Sequence, residues 1–200
     1  MSQIENPSTP RRADRTRNRA RLVTAARDVL HEQGIDAPLS TIARQAGLSA
    51  ATLYRHFPDR GALLAAVYER ELDHCREVVH RAVDGDAGDA GASLFRAVRE
   101  FAVIEAEQPG VMTALTGRLD VSSELAQFRR EAFARLDDLI ARARRERSIR
   151  EDLSLDDIRI VLTSIRAVVH TTPADARTQA LRVVELFERG CRTVDRRRPS

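Results

Sequence analysis

Between Gly34 and Pro58 the chain is punctuated so closely that only two short helices fit. Pro38 suits a first helical position, Ile42, Ala43 and Ala46 then form one apolar face, and Gly47 breaks the helix. Ser49 is a good N-cap for the next helix, and Phe57-Pro58-Asp59 closes it. The spacing predicts helices over 38–46 and 50–56. Joined by a glycine turn, two helices of this length make a helix-turn-helix.

The flanking sequence is helical too. Leu22, Ala26, Val29 and Leu30 recur at helical spacing before Gly34, which predicts a helix over 14–33. Asp59 can cap a long helix over 60–83, whose stripe is Leu64, Tyr68, Leu72, Cys75, Val79 and Ala82. Residues 84–91 (DGDAGDAG) read as a linker. As a calcium loop they fail, because Gly88 and Phe95 fall where oxygen ligands are needed. Further helices are predicted over 92–107, 110–118, 123–147, 155–171 and 174–194. No segment alternates like a strand for long. With aromatics at 4% and alanine, leucine, valine and arginine dominant, the fold class is all-α, with about nine helices.

Charge narrows the chemistry. The chain has no lysine, which excludes Schiff-base and phosphate-loop lysine enzymes. Residues 1–60 carry ten arginines against six acids, net +4, while residues 61–200 carry 23 against 24, net −1. The positive excess therefore sits in the first third, as expected of a segment that meets a polyanion. Six of those arginines crowd into residues 11–21. Arg142, Arg144, Arg145, Arg147 and the run Arg196-Arg197-Arg198 lie among acids and read as solvated faces and a frayed tail.

Other classes lack support. The pairs Asp137-Asp138 and Asp156-Asp157 point about 100 degrees apart on a helix and cannot share a substrate. No nucleophile-elbow or HExxH pattern occurs. His74, Cys75 and His80 have the wrong angular spread for a metal site, and Cys75 and Cys191 read as idle thiols, so neither metal nor cofactor is expected. No run of eighteen apolar residues exists and no signal peptide is apparent, which predicts a soluble cytoplasmic protein without membrane contact.

A helix-turn-helix that uses DNA needs a tight turn and a second helix whose first turn carries short side chains. Gly47 and Ser49-Ala50-Ala51-Thr52 meet both demands. Tyr54, Arg55 and His56 are donors long enough to reach flanking phosphates, while Leu48, Leu53 and Phe57 fall on the inward side. Arg60 coincides with the positive end of the following helix, a second expected phosphate site.

Thr52-Leu53-Tyr54-Arg55-His56-Phe57, the cation at Arg60, Leu63-Leu64, the Ile42-Ala43…Ala46-Gly47 core and the Ala25-Ala26 pair before Gly34 together resemble the N-terminal DNA-binding domain of the TetR family of transcriptional regulators. The resemblance covers about residues 14–70. Within the family, Ala37-Pro38-Leu39 and the ending from Tyr54 to Arg60 are most similar to the SbtR-like branch. Many members have lysine where Arg60 stands and glutamate where Gly61 stands; Gly61 should fray the first turn by about 1 kcal/mol.

The resemblance implies an N-terminal three-helix DNA-binding domain and a C-terminal helical ligand-binding and dimerisation domain, with boundaries expected at 1–13 for a disordered basic arm, 14–60, 61–195 and a tail at 196–200. Carried over by position, Ala50, Ala51 and Thr52 lie against base edges with Ser49 at their head, Ser40 and Arg44 make neighbouring contacts, and Tyr54, Arg55, His56, Arg60 and Arg17 anchor phosphates. Arg44 reaches either a guanine or a phosphate. Alternatives remain for His56, as a partner for local backbone, and for Arg60, as a plain surface charge.

Phe95, Phe101, Met112, Leu115, Phe128 and Phe133 line an effector cavity or are ordinary core. The last two helices have apolar faces too broad for a simple exterior position, spanning roughly 160 degrees in the last. Ile158, Val161, Leu162, Ile165 and Val169 in one, and Val183, Leu186, Phe187 and Gly190 in the other, are the expected dimer interface, unless the pair is a buried hairpin in a monomer. The expected protein is a homodimeric repressor on a near-palindromic operator, released by a small molecule through pivoting of the helix over 60–83. A helical sensor or adaptor that binds no DNA is the alternative.

Overall fold

The computed structural model describes residues 9–85, 88–116 and 123–192, and divides into two compact units at Val67 and Tyr68. The first unit contains α1 (Thr9–Gln33), α2 (Leu39–Gln45), α3 (Ala50–His56) and α4 (Arg60–Val67). Leu22, Ala25, Ala26, Val29 and Leu30 form one stripe of α1, and all are buried. Against them pack α2 and α4. Ile42, Leu53, Phe57, Leu63, Leu64 and Val67 complete this core.

Backbone geometry explains the tight turn. Gly47 stands at φ 63°, in the left-handed region, and the Gly47 and Leu48 N–H groups donate to the carbonyls of Arg44 and Ala43 at 3.0 and 2.9 Å. That pair of bonds is a Schellman closure of α2. Arg21 Nη2 reaches over from α1 and donates to the Ala46 carbonyl at 2.6 Å. A Cβ at Gly47 would stand 2.9 Å from that same nitrogen. Gly47→Ala is therefore expected to destabilise the chain by about 1–2 kcal/mol, seen as a lower urea midpoint.

Helix α1 begins at Thr9, so residues 9–13 are helical rather than a disordered arm, and residues 1–8 lie outside the described residues. The expected helix over 60–83 is two helices, because the Val67 carbonyl is taken by a side chain and the Tyr68 backbone leaves the helical region. Arg27 Nη2 takes the Val67 carbonyl at 2.7 Å, and Tyr68, at φ −107° and ψ 23°, donates from its hydroxyl to the Pro109 carbonyl at 3.0 Å. The first unit accordingly ends at Val67, not at residue 60. Gly61 does not fray α4. Helix α4 starts at Arg60, and the Asp59 carboxylate accepts from Ala62 N at 2.7 Å.

The second unit contains α5 (Glu69–Asp84), α6 (Ala90–Glu107), α7 (Val111–Thr116), α8 (Ser123–Arg145), α9 (Leu155–Thr171), a 3-10 turn (Pro173–Asp175) and α10 (Ala176–Cys191). Helix α6 is its axis, packed by α5, α8, α9 and α10. Leu94, Phe95, Val98, Phe101 and Ala102 are all buried, as expected of a helix apolar on most of its circumference. The linker expected at 84–91 is shorter. Ala90 and Gly91 are already the buried first turn of α6, with Ala90 N donating to Glu146 Oε2 at 2.7 Å and Gly91 N to Ser148 Oγ at 3.1 Å. A Cβ on Gly91 would lie 2.7 Å from that oxygen, so only glycine permits the approach.

One acid among the described residues of this unit is buried. Glu105 of α6 accepts from Gly110 N at 3.0 Å and Met112 N at 2.8 Å, capping α7 from outside its own chain segment. Burial pushes its carboxyl up to about 7, partly offset by those two N–H groups. Two arginines expected on solvated faces turn inward instead: Arg142 donates to the Val83 carbonyl at 3.0 Å and Arg144 to the Leu153 carbonyl at 2.9 Å. The run at 196–198 and the tail lie outside the described residues.

Candidate nucleic-acid interface

Helix α3 is built to show one face. Ser49 Oγ accepts from Thr52 N at 3.2 Å and shares a hydrogen with Thr52 Oγ1 at 2.9 Å, so both hydroxyls are engaged in capping. Leu53 and Phe57 are buried, which turns Ala50, Ala51, Tyr54 and Arg55 to solvent and leaves Thr52 and His56 half-buried. Tyr54 is 53% exposed, unusual for a large aromatic side chain. Arg55 folds back along the helix, Nε donating to the Ala51 carbonyl at 3.1 Å. Ser40 and Arg44 of α2 are also exposed.

The electrostatics at the end of α3 come from α1. The His56 imidazole is held below its ordinary pKa of 6.5 by burial and then by the charges of Arg15, Arg19 and Arg55. Arg19 lies over the Phe57 ring, 5.4 Å from its centroid. Among the described residues, every charge that bears on His56 is positive. Arg15 and Arg19 were absent from the expected contact set. The signal that finds them is spacing: Arg15, Arg19, Leu22 and Ala26 step along α1 at i, i+4, i+7 and i+11, so the two cations extend the buried stripe to the edge of α3.

Two expected anchors stand elsewhere. Arg17 is exposed on α1 and 3.4 Å from Asp14, a solvent-screened pair. Arg60 faces inward: Nη1 donates to the Ile35 carbonyl at 2.6 Å and Nη2 to the Ala37 carbonyl at 2.8 Å. These carbonyls belong to the loop between α1 and α2, and a guanidinium holding both is a clamp on that loop rather than a group extended to a phosphate.

In the second unit, Phe101, Leu115, Phe128 and Phe133 line one apolar void of about 20 Å³ together with Cys75, Arg129 and Leu162. That space is about one water. Phe95 and Met112 do not line it: Phe95 meets Phe187 edge-on at 6.0 Å between centroids, and Met112 is buried core. Burial, followed by Glu105 and Glu71, pushes the Cys75 thiol up to about 12 and leaves it unreactive. Of the residues expected at a dimer interface, Ile158, Val161, Leu162, Ile165 and Val169 are buried within the unit and offer no surface to a second copy. Val183, Leu186, Phe187 and Gly190 keep an outward part, and Ile160, not among the expected residues, is 64% exposed. No helix among the described residues is long and apolar enough to cross a membrane.

The family description "Bacterial regulatory proteins, tetR family" matches residues 22–67, and "Transcriptional regulator SbtR-like, C-terminal domain" matches residues 89–193. The HTH-type transcriptional regulator AlkX of Mycobacterium tuberculosis is 32% identical over 106 residues, which are 52% of this chain and 50% of AlkX. The chain thus spans about half the length of that curated relative. Among solved structures, the TetR transcriptional regulator SCO0520 from Streptomyces coelicolor is 30% identical, with 88% of this chain and 99% of that one covered at a TM-score of 0.48. SmeT, the repressor of the Stenotrophomonas maltophilia multidrug efflux pump SmeDEF, is 20% identical over 88% of this chain and 91% of its own, at a TM-score of 0.56. The likeness to SmeT is one of fold.

Proposed function

Since the chain belongs to the TetR family of bacterial regulatory proteins, with a C-terminal domain of the SbtR-like type, we propose that it is a cytoplasmic, homodimeric transcriptional repressor that leaves a near-palindromic operator when a small molecule binds its second unit. The observation that carries this reading is the outward face of α3, with Ala50, Ala51 and Tyr54 exposed beside a patch where Arg15, Arg19 and Arg55 act on His56 without a compensating acid among the described residues. Methyl groups of Ala50, Ala51 and Thr52 suit the thymine methyls of a major groove, with Ser49 capping and Ser40 and Arg44 alongside. Tyr54, Arg55 and His56 then take phosphates, joined by Arg15 and Arg19.

A mobility-shift titration on a randomised DNA pool, repeated across salt, tests the reading. Sequence enrichment and a steep salt slope are expected; a flat salt response overturns it. Arg15→Ala and Arg19→Ala should each weaken binding to all sequences and reduce the slope by about 1, whereas a Thr52 variant should shift preference at one base position.

Two copies would meet through the outward sides of α9 and α10, centred on Ile160, Val183, Leu186, Phe187 and Gly190 rather than on the buried residues of α9. Leu186 is 54% exposed and close to the middle of α10. Leu186→Glu should convert a dimer to monomer in sedimentation equilibrium; an unchanged mass would place the interface elsewhere. Release by the effector cannot run through one rigid helix over 60–83, because α4 stops at Val67. It requires instead an effector with different affinities for two states of the chain.

A further inference from the structure

Helix α1 changes character at Leu22. From Leu22 to Leu30 one stripe is buried in the first unit, whereas residues 12–21 are exposed apart from half-buried Asn18. The helix nevertheless continues unbroken through them to Thr9. No buried side chain among the described residues holds these turns, and their charges oppose one another. Arg15 and Arg19, and again Arg17 and Arg21, are like charges at i, i+4, and Arg12 and Arg15 are like charges at i, i+3. Asp14, the one acid in residues 11–21, pairs with Arg17 where both side chains are exposed. A helical segment polar all round and repelling itself has little to hold it.

The cations share one side. At 100 degrees per residue, Arg12, Arg15 and Arg19 fall within an arc of about 60 degrees, on the side where Leu22 and Ala26 enter the core. The stripe that is apolar in the core thus becomes cationic where the core ends. It emerges beside α3: Arg19 lies over the Phe57 ring, and Arg15 and Arg19 both bear on His56. Arg21 and Arg27, farther along, donate to the Ala46 and Val67 carbonyls, but Arg12 and Arg15 have no acceptor for their guanidinium groups among the described residues. From Arg12 to Arg19 the ridge runs about 10 Å, the rise of about three successive phosphates on one DNA strand.

We infer that the first three turns of α1 are a second DNA-binding element, in which Arg12, Arg15 and Arg19 grip the backbone flanking the site that α3 reads, and the DNA in turn holds these turns helical. Cations that repel one another in the free chain become ligands of one polyanion in the complex. A duplex laid on the outward face of α3 meets the ridge at the His56 end, so the two surfaces form one footprint. The ridge neutralises phosphates without touching base edges and therefore adds equally to every sequence. The inference rests on the reading of α3 as a DNA-recognition helix.

The test uses the full chain with two duplexes of about three helical turns, one selected from the randomised pool and one of scrambled sequence. In amide hydrogen exchange, residues 13–19 of the free protein should be about a hundredfold less protected than residues 25–30, and the scrambled duplex at low salt should raise their protection about tenfold. Arg12→Gln/Arg15→Gln, which leaves Arg19 on its ring, should lower the salt slope by about 2 for both duplexes and keep their affinity ratio within about twofold. Because it also removes repulsion, the free variant should be better protected over residues 13–19 than the free parent, at an unchanged thermal midpoint. An unchanged slope in the variant, or residues 13–19 equally protected with and without DNA, overturns the proposal. A midpoint several degrees lower also overturns it, since the two arginines would then be structural. If both duplexes bind the parent equally and both lose affinity in the variant, the ridge stands and the reading of α3 falls. If the selected duplex is preferred and the variant binds it as the parent does, the reverse holds.

Discussion

Arg60→Ala should lower the stability of the protein by about 2–4 kcal/mol, because two charge-assisted bonds to the carbonyls of Ile35 and Ala37 disappear together. Ala37 is 5% exposed, so its carbonyl lies where water is a poor substitute. The loop between α1 and α2 would loosen, and α2 would lose its fixed entry. DNA binding should fall as well, but as a consequence of unfolding: at a temperature where the variant remains folded, its salt slope should match that of the parent. A phosphate contact would give the opposite pair of results, an unchanged unfolding midpoint and a slope smaller by about 1. Arg60→Lys should lie between, since an ammonium reaches one carbonyl well and lacks the fork for two.

The second large effect is a pH dependence. Glu105 is raised in the folded chain to about 7 from an ordinary 4.5. Between those values the folded state holds a proton that the unfolded state has released, so stability is greatest below the unfolded value and falls as pH rises through about 7. The full change is on the order of 3 kcal/mol. Glu105→Gln cannot titrate and should remove that slope. Its amide offers one acceptor oxygen where the carboxyl group offered two, so Gly110 N or Met112 N loses a partner at about 1–3 kcal/mol. The variant should therefore be less stable than the parent at about pH 5, and the gap should narrow or reverse at about pH 8. Parallel urea midpoints across that range would show that another group carries the dependence.

These two residues illustrate where sequence reading succeeds and where it stops. Helix α3, its Ser49 cap and the Gly47 turn are legible because they rest on local chemistry: a hydroxyl that reaches an N–H three residues on, and a backbone angle that only glycine takes cheaply. The inward set Leu53 and Phe57 follows from the helical period, and with it the outward set Ala50, Ala51, Tyr54 and Arg55. Arg60 looks the same as an outward cation in sequence. What decides its direction is the pair of loop carbonyls 25 and 23 residues earlier in the chain. Arg15 and Arg19 were readable from their register with Leu22, though only packing against Phe57 gives that register a meaning.

The second unit divides the same way. That it is helical, and that α9 and α10 are broadly apolar, follows from composition and period. Which part of that breadth is core could not be read. Helix α6 covers α9 and α10 on one side, so Ile158, Val161, Leu162, Ile165 and Val169 are spent inside the unit while Ile160 and Leu186 stay outside. The break at Tyr68 was equally hidden, because residues 60–83 carry no proline and one glycine near the start. Arg27 ends that helix from a distance, by taking the Val67 carbonyl.

By itself, then, the amino-acid sequence determined the helical class, the helix-turn-helix and the face it shows, because each depends on atoms within a few residues of one another. Tertiary structure alone decided which arginines hold the chain together and which stay on its surface. A guanidinium on a long flexible stem takes whatever oxygen the fold brings to it, and those oxygens lie tens of residues away.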